Sequence, residues 1–487
     1  MQRDGYCIVV QTTRLRPPGA IEPIAGTRQP VIVTLQHHYD EFVIYIIADD
    51  LTGATDTGAQ FSQHGYTAHV VIVSETGRGG LADLKNFPKS SDVLVIDTET
   101  REVDANTARM RLRNVLQHLA LHENDLVYKK VDSTLRGNVG AEVDECMQAL
   151  NKDVCLFTPS FPQNKRMTVE GCLLVHDQPL GRSEYYAGNV DPDEASYIPS
   201  LLQQGTDITI DRIDLHDVIH GKDVILERIR ALFHDGKKII VIDSMNTQQL
   251  HDILRSSFEF EGSVLYAGSA GLANALSGIC DRKRPAEISP AQTQQSVLIV
   301  SGSMRSVTHR QIAYIKTHVN VCDVPLDVGC VLENKYTYLR QILDRVTQAS
   351  RAGCRPTLMY PDPRYLDTQI TKKLLSRYGL DFRELGLTIR NFLGEFVRNI
   401  LEKTSANNLI LTGGDTAVGV CGMLDIHHLT IVEELLPGIP RSIGRFNNNG
   451  DVNIVTKAGG FGEEDALHVL YKKLVAQESA AIGKSLK

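Results

Sequence analysis

Two adjacent carboxylates, Asp49 and Asp50, close the apolar run Val43–Ala48 and open "LTGATDTG", where a third acid stands at Asp56. Neighbouring carboxylates repel unless a cation or hydrogen-bond donors stabilise them, so such a pair at a strand mouth suits a polar ligand. A second strand end, "LVYKKVDSTLRGNVGAEVDE" at 126–145, carries Lys130, Asp132, Ser133 and Arg136 within seven residues. Lys and Arg match a small carboxylate, and Asp accepts hydrogen bonds from sugar hydroxyls. Together the two stretches describe a pocket for a polyhydroxy acid. Each charge also has a plainer reading: Asp50 or Thr52 could cap the helix near Ala54, and Asp132 or Ser133 the one near Val139. Capping and ligand binding do not exclude one another. "YAGSAGLANAL" at 266–276 is a further Gly/Ser strand end, either a loop near the substrate or a close helix–sheet contact.

The C-terminal half carries a different chemistry in "VLIVSGSMRSVT" at 297–308, "NLILTGGDTA" at 408–417 and "VNIVTKAGGFGEEDAL" at 452–467. Each passes from an apolar strand through Gly or Ser into a helix. Glycine lets a ligand approach the backbone, and exposed N–H groups at a helix N-terminus favour phosphate. The plainer reading of each turn is steric. Neither the P-loop pattern G-x-x-x-x-G-K-[ST] nor the dinucleotide spacing G-x-G-x-x-G is present, which argues against an oxidoreductase.

Ligands of an open parallel sheet bind beyond the carboxyl ends of its strands, so these motifs require strands ahead of them. Short β-branched runs do alternate with segments of helical period, the pattern of βα units. Strands are expected over Val43–Ala48, Ala68–Val73, Val93–Asp97, Leu126–Lys130, Val154–Thr158, Lys238–Asp243 and Val264–Ala267. A second group follows at Ser296–Val300, Pro356–Met359, Leu409–Leu411 and Val452–Val455. Helices are expected over Asp104–Leu121, Val139–Leu150, Leu226–Phe233 and Glu463–Ala476, while 168–199 fits neither pattern and reads as an excursion that shapes a pocket. Residues 1–41, rich in Pro, Gly and Arg, read as a flexible N-terminal extension. "CDRKRPAEISPAQTQQ" at 280–295 interrupts the rhythm, giving two α/β domains with largely parallel sheets at 42–285 and 296–487, joined by a linker at 286–295.

A net charge of -8 and a pI near 6.1 give no electrostatic case for a nucleic-acid or anionic-membrane partner. No apolar run reaches the roughly 18 residues that cross a bilayer, and residues 1–30 lack the core of a signal peptide, so the expected compartment is the cytoplasm. Nine cysteines without a C-x-x-C pair indicate neither a zinc site nor a disulfide framework, and no metal-ligand set is assigned.

At "ADDLTGATDTG", "KKVDSTLRGN", "TPSFPQNKR", "GSAGLA", "SGS", "TGGDTA" and "KAGGFG" the chain resembles the four-carbon acid sugar kinase family, from about Val43 to Val475. The resemblance implies an acid-sugar-binding domain at 42–285 and a nucleotide-binding domain at 296–487 that face each other across an active-site cleft. "KKVDSTLRGN" and "SYIPSLL" at 196–202 resemble the D-threonate and D-erythronate branch. Two departures stand out. Arg305 and Ser306 follow "SGSM" where a Cys-Ser continuation is expected, favouring Ser303 over Ser306 at the nucleotide, and the N-terminal extension has no counterpart.

The reaction so implied is transfer of the ATP γ-phosphoryl group, with Mg2+, to the 4-hydroxyl of a four-carbon sugar acid. Asp49 and Asp50 would hold sugar hydroxyls, and one of them or Asp132 would orient or deprotonate the 4-hydroxyl. Lys130 and Arg136 would hold the substrate carboxylate, or one of them the transferring phosphate, with Ser133 lining the same pocket. Ser303, Gly413, Gly414, Asp415, Thr416, Gly459, Gly460 and Gly462 would hold ATP. The expected partners are therefore small molecules, with a homo-oligomer left open. Competing readings are a 3-oxo-tetronate kinase, a non-catalytic sensor of sugar acid and nucleotide, and an NAD-dependent dehydrogenase.

Overall fold

The computed structural model describes residues 42–73, 81–84, 91–122, 125–186, 191–279, 296–404, 406–446 and 450–485. The expected extension (1–41) and linker (286–295) lie outside the described residues. The chain divides into two compact units, one of Met1–Asp49 and Leu81–Asp281, the other of Asp50–Gly80 and Arg282–Lys487.

In the first unit, Val, Ile and Leu fill central strands that are buried on both faces, as a parallel sheet covered by helices requires. The spatial order is Val93–Asp97, Ile44–Ala48, Leu126–Lys130, Val264–Gly268, Val154–Thr158, Ile239–Ile242 and Ile210–Ile213, every neighbouring pair parallel. Every residue of Ile44–Ala48 is buried. At about 1.5–3 kcal/mol for each large aliphatic side chain removed from water, such a central strand is a major source of stability. The register Ile47↔Lys129 and Ala48↔Asp97 brings the segments after three strands to one sheet edge.

The excursion contains a three-stranded antiparallel sheet, Arg166–Val169, Cys172–Val175 and Gln178–Pro179. Its turn is held by buried Asp243, which accepts from the backbone N–H of Glu170 and Gly171. In "YAGSAGLANAL", a Cβ on Gly268 would lie 2.3 Å from the Thr158 carbonyl and one on Gly271 2.3 Å from the Ser160 carbonyl. Close packing of backbone on backbone accounts for these glycines.

The second unit orders its strands Cys322–Leu326, Thr357–Pro361, Val297–Ser301, Asn408–Thr412, Asp451–Lys457, Ile439–Arg445, His428–Leu436 and Ala68–Ile72. The first five are parallel, and the last three add antiparallel pairs. Its core packs helices Ser306–His318 and Ala466–Ser485 against these strands through Ile312, Ile315, Leu467, Leu470 and Val455.

Helix Leu51–Gln63 belongs to this unit although the sequence places it next to the first strand of the other. Leu51 through Phe61 are all buried, and the Thr55 and Thr456 hydroxyls lie 2.6 Å apart. Small residues in "LTGATDTGA" allow that close approach. Strand Ala68–Ile72 then pairs with His428–Leu436, placing His69 opposite Thr430.

Candidate functional site

In the first unit the site is built where strands Ile44–Ala48, Val93–Asp97 and Leu126–Lys130 end. Arg101, four residues beyond Val93–Asp97, forms a bidentate pair with Asp49, Nε to Oδ2 at 2.7 Å and Nη2 to Oδ1 at 2.9 Å. Arg136 does the same to Asp132, with Nε to Oδ2 at 2.7 Å and Nη2 to Oδ1 at 3.0 Å. Arg101 Nη2 also stands 3.8 Å from Asp132 Oδ1, joining the two pairs into one network. Planar guanidinium forks match carboxylates in this way, so the geometry of the four groups is well defined.

The loop that carries them is fixed by its sequence. Gly137, at φ +87, sits where a Cβ would lie 3.2 Å from Arg101 Cα, and Asn138 Nδ2 donates to the carbonyls of Thr100 and Val103 at 2.9 and 2.8 Å. The two strand-end loops are thereby locked together. Thr134 Oγ1 adds a 2.5 Å bond to Asp132 Oδ2.

Burial raises the Asp49 and Asp132 carboxyls, but the guanidinium of Arg101 outweighs it at Asp49, and Arg136 with Arg101 holds Asp132 well below the usual carboxylate range. Both are anions near neutral pH. Beneath them, buried Lys129 pairs with Glu142 at 2.6 Å; burial pulls the ammonium down, and Glu142 and Asp49 more than offset it.

Lys130 is also buried, yet its ammonium donates only to the Val131 carbonyl, at 2.7 Å, and forms no direct ion pair among the described residues, although its charge helps to lower the Asp49 carboxyl. Ser133 is buried as well, and no side-chain hydrogen bond holds it among the described residues. A lysine and a hydroxyl so placed beside two pinned carboxylates can receive an anionic, hydroxylated ligand.

Asp50 parts from its neighbour. Its carboxylate caps helix Leu51–Gln63, Oδ1 accepting from Gly53 N at 2.8 Å and Oδ2 from Thr52 Oγ1 at 2.5 Å. In the second unit it lies against the glycine turn that starts helix Gly414–Met423, since a Cβ on Gly414 would come 3.1 Å from Asp50 Oδ2. The expectation that Asp132 or Ser133 caps the helix near Val139 does not hold. The N-cap there is Asn138, without a side-chain cap bond, because Asp132 is committed to Arg136.

The three glycine turns of the second unit interlock. Gly302 N donates to Thr416 Oγ1 at 2.9 Å, Gly413 N to the Lys457 carbonyl at 2.8 Å, and Thr308 Oγ1 bridges Ser303 Oγ and the Gly459 carbonyl at 3.0 and 2.8 Å. Gln311 Nε2 reaches the carbonyls of Phe461, Gly462 and Glu463. Cβ atoms have no room there: one on Gly459 would lie 2.4 Å from Ser303 Oγ and one on Gly302 2.6 Å from Thr416 Oγ1. Gly413 and Gly462 adopt φ of 102° and 83°, which favours glycine. Thus Ser303, Gly413, Thr416, Gly459 and Gly462 come together, with Gly414 and exposed Asp415 opening the helix and Gly460 in the neighbouring turn.

Arg101, Lys129 and Lys457 escaped the sequence reading. Lys457 ends a strand, Lys129 is the last residue but one of another, and Arg101 follows a third, so their positions were the available signal.

A model for a sugar-binding N-terminal domain matches residues 44–276, and one for a nucleotide-binding C-terminal domain matches residues 298–467. These family models divide the chain at a single point, so residues 50–80, which belong to the second unit, fall within the N-terminal match. A Salmonella typhimurium D-threonate kinase is 32% identical over 430 residues, 87% of this chain and 96% of that protein. A Heliobacterium modesticaldum D-erythronate kinase is 26% identical over 435 residues, covering 87% and 95%. The crystal structure of Haemophilus influenzae protein HI1011 shares the fold at a TM-score of 0.64 and 22% identity, covering 88% of this chain and all (100%) of that one.

Proposed function

We propose that this chain, which belongs to the four-carbon acid sugar kinase family, transfers the γ-phosphoryl group of ATP to the 4-hydroxyl of D-threonate, with D-erythronate as the nearest alternative acceptor. The observation that carries the reading is the network Asp49–Arg101–Asp132–Arg136 beside Lys130, with both carboxylates buried and Arg136 exposed at its rim. It offers anions for hydroxyl groups and cations for a carboxylate within one pocket wall.

Asp49 and Asp132 accept hydrogen bonds from the sugar hydroxyls. Because Asp132 is held so far below the usual carboxylate range, it orients a hydroxyl and is a poor proton acceptor. Lys130 and Arg136 receive the substrate carboxylate or the phosphate in transfer, and Ser133 adds a hydroxyl contact. Ser303, Gly413, Gly414, Asp415, Thr416, Gly459, Gly460 and Gly462 form the nucleotide-binding surface, mainly through backbone N–H groups.

Mg2+ normally enters such sites on the nucleotide phosphates and asks the protein for only one or two carboxylates. Asp50 beside Gly414 fits that requirement. The ion would offset charge on the phosphate, and Asp50 is the carboxylate that the second unit brings to that chemistry. Phosphoryl transfer then depends chiefly on positioning and electrostatics. Among the described residues no helix is long and apolar enough to cross a membrane; the cytoplasm, where ATP is at hand, is the compartment that suits the proposed reaction.

The test is ADP release from ATP and Mg2+ with D-threonate, D-erythronate, L-threonate and 3-oxo-tetronate in parallel. D-Threonate should give the highest kcat/KM. Turnover confined to 3-oxo-tetronate would move the chain to the other branch, and binding without turnover on any acid would make it a sensor.

A further inference from the structure

Three parallel strands of the second unit end in one polar row. The register sets Ser301 beside Thr412 and Thr412 beside Lys457, and side chains in register on parallel strands point to the same face. All three residues are fully buried directly below the turns that begin at Gly302, Gly413 and Ala458. Ser301 Oγ accepts from Ser303 N, whereas Thr412 Oγ1 has no hydrogen-bond partner. Lys457 Nζ donates only to the Ala458 carbonyl, at 3.0 Å, and faces no carboxylate among the described residues. A buried ammonium without a counter-ion is costly, and among the described residues one carbonyl contact is all that offsets it.

We propose that Lys457 is the cation of the nucleotide site: its ammonium leaves the Ala458 carbonyl for the phosphates of ATP, and Thr412 supplies a hydroxyl to the same anion. The inference rests on the nucleotide reading of these turns and adds to it a charge that backbone N–H groups alone do not supply. Burial by itself pushes the free ammonium down to about 7, with no ionised side chain contributing. An arriving polyphosphate is the missing counter-charge, so binding draws a proton onto Lys457 in mildly alkaline solution.

Calorimetric titration of the full chain with MgATP and with adenosine, in two buffers of different ionisation enthalpy at about pH 8, reads this directly. The wild type should take up a large fraction of a proton with ATP and none with adenosine. Lys457→Met should lose that uptake and bind ATP at least about tenfold more weakly, with adenosine and D-threonate affinities unchanged. ATP binding without proton uptake in the wild type overturns the inference whether or not the variant folds, and leaves the kinase reading standing if ADP is still formed. Unchanged ATP affinity in a folded Lys457→Met protein overturns it equally. Failure of the wild type to bind ATP removes both readings together.

Discussion

Arg101 holds Asp49 with both edges of its guanidinium, at 2.7 and 2.9 Å, and reaches to within 3.8 Å of Asp132. The pair is buried, so neither partner can fall back on water. Removing Arg101 strands a carboxylate in the sheet edge. Arg101→Met should therefore lower unfolding stability by about 3–5 kcal/mol and weaken sugar-acid binding, as read by denaturant melts and calorimetry. A stability loss below about 1 kcal/mol would mean that the pair behaves as an exposed one.

The carboxyl groups of Asp49 and Asp132 also set the acid limit. Both are depressed in the folded state, so their contribution is complete above the unfolded value of 3.8 and is lost as pH falls through the lower folded values. Asp132→Asn should flatten the decline of stability below about pH 4, measured by urea midpoints across pH. An unchanged slope would contradict the assigned anion.

Lys457 has the opposite sign. Its pKa falls from 10.5 to about 7 on folding, so the cost is full below the folded value and vanishes above the unfolded one. Lys457→Met should be more stable than the wild type near neutrality, by at most about 4 kcal/mol, with the gain shrinking as pH rises. A variant less stable at every pH would show that the ammonium is internally compensated.

Asp50→Asn separates capping from chemistry. Asparagine caps a helix about as well as aspartate, so the melting temperature should hold and nucleotide affinity should persist. Turnover should fall by about a hundredfold or more if the carboxylate meets the hydroxyl or Mg2+. An unchanged kcat would remove Asp50 from the mechanism.

Gly413→Ala tests the second unit's turns. At φ 102° and ψ 136° an alanine is strained by about 1–3 kcal/mol. ATP affinity should drop more than D-threonate affinity, while Gly386→Ala, with nothing within 4 Å of the added methyl, should leave both unchanged. Equal losses for the two ligands in Gly413→Ala would indicate general unfolding.

Much of the fold was legible where burial is complete. Val93–Asp97, Leu126–Lys130 and Val154–Thr158 match their expected bounds because central parallel strands read as continuous apolar runs. Edge strands escaped: Ile210–Ile213 is only partly buried, and Cys322–Leu326 alternates and contains Pro325. The hairpin of His428–Leu436 and Ile439–Arg445 was also missed, although Pro437-Gly438 between two β-rich runs is a turn signal. At the site, the motifs drew attention to Asp49, Asp132 and Arg136, but no local pattern says that Arg101 pairs across 52 positions with Asp49. Nor could adjacency reveal that Asp49 and Asp50 serve different units, because the division depends on where helix Leu51–Gln63 packs.

The most direct measurement is the identity of the product formed from ATP and D-threonate labelled with 13C throughout. Phosphorus NMR should show a new phosphomonoester coupled to C4, with ADP released in equal amount. A phosphate on C2, C3 or the carboxylate would contradict the orientation assigned to the first unit, and ADP with free phosphate alone would contradict the kinase.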